Sequence, residues 1–135
     1  MKVILFNQWD KLSSLIKNTS LAALSEKTSY AIKNLAVENN AVTLSDRAMN
    51  NLALSGEAVT VKVPDIIPGK ARDFLLRVEA SHDTEIKFSG AEAFEGDHPD
   101  VLMPPAAGET IVYFFTETKA DVFLVARRKV VSVSA

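Results

Sequence analysis

The sequence predicts a mainly β protein in which an α-helical N-terminal segment, residues 1–40, mounts an antiparallel, jelly-roll-like β-sandwich over residues 41–135. Three observations carry this reading. Residues 10–40 contain neither proline nor glycine and are rich in Leu, Ala, Lys and Glu, which lose little side-chain entropy in a helix. After Asn40 the apolar period changes to two and Val, Ile, Thr and Phe take over. Beyond that point short apolar runs alternate with strong turn signals, the spacing expected of a sandwich. At 135 residues the chain has the size of one domain.

Within the N-terminal third, Asp10 or Ser20 can cap a helix start and Asn39-Asn40 can end one. Leu21, Leu24, Thr28, Ala31 and Leu35 recur at spacings of three and four, which would line them along one helix seam. That seam needs a partner. It either packs on the chain's own sandwich or meets identical chains, so residues 1–40 are read as a docking or oligomerisation segment.

The expected strands are 41–44, 51–54, 58–63, 73–80, 84–88, 110–115, 121–126 and 129–133. Val59, Val61 and Val63 alternate with Thr60 and Lys62, and Phe74, Leu76 and Val78 with Arg77 and Glu79. Ile111 to Phe115 is apolar on both faces, as suits a central strand or one that meets a neighbouring subunit. Ser55-Gly56, Pro68-Gly69, Ser81-His82-Asp83 and Ser89-Gly90 mark turns. The connection from Gly90 to Gly108 is longer than the rest, and long connections in compact domains carry function or contacts.

Composition narrows the function. With 47% hydrophobic and 24% charged residues the chain reads as an ordinary globular protein. A net charge of -2 supplies no basic surface for nucleic acid, and the cluster Arg127, Arg128 and Lys129 reads as a solvated strand end. There is no cysteine, so disulfides, thiolate metal sites and thiol nucleophiles are excluded. Asn7 and Gln8 break the apolar start before a secretion-signal core forms, and no run approaches the ~20 apolar residues of a membrane-spanning helix. A soluble chain made in a reducing cytoplasm is expected.

Motifs for chemistry are sparse. No nucleophile sits on a recognisable catalytic turn, and no phosphate- or dinucleotide-binding glycine loop occurs, so neither catalytic residue nor cofactor is assigned. Glu92, Phe94, Glu95, Asp97, His98 and Asp100 gather in the long connection as a candidate ligand or partner loop. Their spacing does not follow an EF-hand, and no metal site is assigned. A host surface glycan is the alternative ligand, recognised through Phe94, Asp97 and His98. A polysaccharide hydrolase would need two acids in one cleft.

The stretches Gly69-Lys70-Ala71-Arg72-Asp73-Phe74-Leu75-Leu76-Arg77-Val78, Ile86-Lys87-Phe88 with Ala93-Phe94-Glu95-Gly96, Ala107-Gly108-Glu109-Thr110 with Tyr113-Phe114-Phe115-Thr116-Glu117, and Val122 to Arg127 succeed one another in order. In that order the chain resembles small β-sandwich modules of tailed-bacteriophage and prophage structural proteins. The resemblance covers residues 41 to about 133. It implies a non-enzymatic virion protein made in the bacterial cytoplasm that binds other virion proteins and itself, commonly as a trimer. Lacking repeats and glycine-rich tips, the chain fits a short fibre base, an adaptor or a capsid-surface protein better than a long tail fibre.

Overall fold

A computed structural model describes residues 30–133. The chain divides into two units between Tyr30 and Ala31, and the second unit, from Ala31 onward, holds nine strands among the described residues. They are β1 (Ala31–Asn34), β2 (Ala41–Thr43), β3 (Ala48–Leu54), β4 (Ala58–Lys62), β5 (Asp73–Ala80), β6 (Glu85–Ser89), β7 (Ala93–Glu95), β8 (Thr110–Lys119) and β9 (Val122–Lys129). Six make a sheet in the order β1-β3-β5-β8-β9-β7, and three make a second in the order β2-β4-β6.

The mainly β class is observed, and both sheets contribute to a single core. The antiparallel expectation needs correction. Only β5 with β8 and β8 with β9 run antiparallel, while β1–β3, β3–β5, β2–β4, β4–β6 and β7–β9 run parallel. The cause lies in where the turns send the chain. Up to β6, successive strands alternate between the two sheets. Each turn therefore carries the chain to the other sheet, and the next strand but one returns beside its predecessor in the same direction. Left-handed backbone at Asn39, Asn40 and Gly56 makes two of these reversals tight (φ 53°, 60° and 106°).

The helical expectation is corrected over residues 31–40. Ala31 to Asn34 pair in register with Ala48 to Asn51, so Ala31 lies in a strand rather than on a helix seam. Leu35 donates its N–H to the Asn51 carbonyl at 2.8 Å and packs, with Val37, against the core. Those two contacts are spaced by two residues, a strand-like period that the longer Leu/Ala pattern masks. Leu21, Leu24 and Thr28 lie outside the described residues. The β-rich unit thus begins about ten residues before the expected boundary at 41.

Elsewhere the strand bounds follow the alternation. β5 occupies the expected residues 73–80, and the strand expected at 121–126 is β9, which runs on to Lys129; the further strand expected at 129–133 is not formed, since residues 130–133 lie outside any strand. β7 lies inside the long connection, where the apolar pattern predicts no strand. The alternating valines and phenylalanines do point inward: Val59, Val61, Phe74, Leu76, Val78, Ile111, Tyr113, Phe115, Phe123 and Val125 are buried in one cluster drawn from both sheets. At its centre Phe74 and Phe115 stack with centroids 4.9 Å apart, and Phe123 meets Phe74 edge-on at 5.4 Å. Phe115 also meets Phe88 of the three-stranded sheet at 5.7 Å.

Because Phe115 touches aromatic partners in both sheets, Phe115→Ala should open a cavity that neither sheet can collapse into. The expected loss is about 3–5 kcal/mol of unfolding free energy by urea titration. A loss under about 1 kcal/mol would place the centre of packing elsewhere.

Candidate functional site

The connection from Gly90 to Gly108 carries the residues that the sequence singles out. Phe94 is half-buried and packs against Phe88, Phe115 and Phe123 at 6.1–6.2 Å, so one side of its ring is committed to the frame. Gly96 lies so close to Val101 that an added Cβ would meet its side chain at 2.6 Å, and Val101 itself is buried in the core. Asp97 Oδ1 stands 3.7 Å from His98 Nε2, and the Asp100 N–H donates to His98 Nδ1 at 3.2 Å. Glu92, Glu95 and these three residues are exposed. Among the described residues no three acidic or histidine side chains converge as a metal site would require.

Further along, the same connection is tied down. The Met103 carbonyl accepts from the Tyr113 hydroxyl and, at 2.8 Å, from Arg127 Nε, while Arg127 Nη2 reaches the Pro104 carbonyl at 3.2 Å. Asp83 Oδ1 accepts the Ala107 N–H at 2.9 Å, and Glu109 Oε1 accepts that of Ala106 at 2.8 Å. Burial pushes the Tyr113 hydroxyl up to about 12, so it stays a donor at any physiological pH. The basic cluster is thereby explained in part: Arg127 braces a loop, and Lys129 pairs with Glu109 at 3.1 Å.

Nothing in the local sequence marks Arg72. It is fully buried, with its guanidinium 4.6 Å above the Phe123 ring. Nε donates to Glu117 Oε1 at 3.2 Å, Nη2 to Glu117 Oε2 at 2.9 Å and to Asp121 Oδ1 at 3.0 Å, and Nη1 to the Pro64 carbonyl at 2.5 Å. Glu117 is bound in return by the backbone N–H groups of Arg72 (2.9 Å) and Asp121 (2.7 Å). Hydrogen bonding to Arg72, reinforced by those amides, holds the Glu117 carboxyl down to about 2. With its donors committed, Arg72 acts as a brace between the start of β5 and the β8–β9 turn.

The outer face of the six-stranded sheet is the remaining candidate. Residues paired across adjacent strands share a face. Register therefore aligns Ile32, Met49, Leu75, Phe114 and Ala126 in one row across β1, β3, β5, β8 and β9. Ile32 is 72% and Phe114 41% exposed, and Leu124, two residues from Ala126, is 49% exposed. The row spans about 19 Å at the usual strand spacing. More polar rows flank it. On one side run Asn34, Asn51, Arg77, Val112 and Arg128; on the other run Asp73, Thr116, Leu124 and Glu95. Arg77 Nε lies 3.2 Å from Glu79 Oε1, and the Thr116 hydroxyl donates to Asp73 Oδ1 at 3.3 Å.

On the Arg77 flank, a recess of about 260 Å³ is lined by Asn34, Leu35, Asn51, Arg77 and Glu79 among others. Within it the Asn51 side-chain oxygen is buried and has no hydrogen-bond partner among the described residues. The apolar row leaves a trace in the sequence, since Leu75 and Phe114 are large apolar residues at positions where strand parity asks for polar ones.

No family model matches this chain, and neither does any curated protein or solved structure.

The two braces can be tested separately. Since the folded-state value for Glu117 lies below its ordinary 4.5, its stabilisation is complete above that value and is lost as pH falls toward about 2. Urea unfolding across that window should show a shallower acid decline for Glu117→Gln than for the wild type; overlaid profiles would remove Glu117 from this role. Tyr113→Phe, in turn, should cost about 1 kcal/mol, the worth of one hydrogen bond, and speed amide exchange at Met103. Unchanged exchange there would show that Arg127 alone holds the loop.

Proposed function

We propose that the β-rich unit is a non-enzymatic attachment module of a tailed-phage virion, serving as a short fibre base, adaptor or capsid-surface protein that works by protein–protein contact. One observation carries the reading: a row of apolar side chains crosses five strands on the solvent side of the larger sheet. Leaving such a row in water forfeits the favourable free energy of burial, about 25 cal/mol per Å² of apolar surface, and contiguous patches of this kind mark sites of association.

Rigidity supports the same role. The long connection is held by side chains from β8 and β9, and the Arg72 cluster braces the β8–β9 turn, so the face is presented on a frame that needs little ordering on contact. The virion context rests on the resemblance of residues 41 to about 133 to phage structural modules. In such a setting stable display matters more than turnover.

Particles purified from the phage or prophage that encodes the chain should contain it at fixed stoichiometry by mass spectrometry. A Phe114→Glu variant that retains the wild-type circular dichroism spectrum should be incorporated at least about tenfold less, as expected when a charge is forced into an apolar contact. Absence of the wild-type chain from such particles would end the virion reading.

A further inference from the structure

We propose that the outer face of the six-stranded sheet is self-complementary and that two copies of this chain pair through it. The two-fold axis would run along the Ile32–Met49–Leu75–Phe114–Ala126 row. The proposal rests on the attachment reading and names its partner.

Such an axis lays the apolar row of one copy on the same row of the other, with strands running in opposite directions. It also exchanges the flanks. Residues two positions before and two positions after each row member trade places. On β5, Asp73 and Arg77 stand symmetrically about Leu75, so Arg77 of each copy comes over Asp73 of the other. On β9, Leu124 and Arg128 stand likewise about Ala126, with Glu95 beside Leu124 on β7. The facing charges are thus Arg77 and Asp73 on β5, while Arg128 comes over Leu124 with Glu95 on the neighbouring strand. An axis along β5 itself would set Arg77 against Arg77 and Asp73 against Asp73, which like-charge repulsion disfavours.

One rotation thus covers the apolar row and sets Arg77 of each copy over Asp73 of the other. Five strands by about four residues give about 300 Å² a side, a small interface, so pairing should depend on concentration. A two-fold pair also departs from the trimer that the resemblance implies.

Sedimentation velocity of the full chain over a concentration series tests this. The expected result is a monomer–dimer equilibrium approaching twice the chain mass. Leu75→Asp, on the axis, should leave a monomer with an unchanged circular dichroism spectrum. Arg77→Asp should weaken pairing about tenfold by turning two symmetry-related attractions into repulsions, and Arg77→Asp combined with Asp73→Arg should restore it. Restoration by the double change is the decisive outcome, because neither a misfolded variant nor a different partner produces it. A chain that stays monomeric, one that forms a trimer, or a dimer indifferent to Leu75→Asp overturns the proposal. A monomer still incorporated into particles overturns the pairing while leaving the attachment reading intact. A dimer formed through this face but absent from particles supports the pairing and removes the virion context.

Discussion

Much of this unit depends on one buried cation. Arg72 enters the core just before β5, and removing a guanidinium from water costs several kcal/mol unless its donors are matched. Glu117 and Asp121, from the end of β8 and the turn into β9, supply the compensating charge, and the Pro64 carbonyl and Phe123 ring complete the surroundings. The partners come from two parts of the chain, residues 117–123 around the β8–β9 turn and Pro64 after β4. The cluster therefore satisfies itself only when the start of β5, the β8–β9 turn and the segment after β4 are together, which makes it a gauge of correct assembly as much as a source of stability.

That brace has a consequence for the larger sheet. β5 and β8 are its central strands, and fixing the β8–β9 turn against the start of β5 fixes their register as well. A slip by one residue would turn Phe74, Leu76 and Val78 outward and strand the buried arginine without its carboxylates. The same register that buries these residues aligns Leu75 with Phe114 on the opposite face. The inner core and the outer apolar row are thus two expressions of one alignment.

The long connection shows how a loop that looks like a binding site can serve the frame. Its acidic residues are exposed, yet its apolar members, Phe94 and Val101, are taken into the core, and its backbone carbonyls at Met103 and Pro104 are occupied by Tyr113 and Arg127. Composition alone could not separate these roles, because Phe94 stands among charged residues in the chain but among phenylalanines in space.

Residue order alone settles local matters: which side chains point inward, and where the chain turns. Period-two alternation at Val59 to Val63 and Phe74 to Val78, and the glycine reversals, are properties of neighbouring residues, and they are legible without a structure. The same locality misleads at residues 31–40, where Leu and Ala spacings suit a helix until β3 offers hydrogen bonds to β1. Which strands pair, and in which direction, emerges only in three dimensions. Backbone N–H and C=O groups are alike in every strand, so partner choice falls to non-local packing, such as a buried Arg72 meeting Glu117 forty-five residues away.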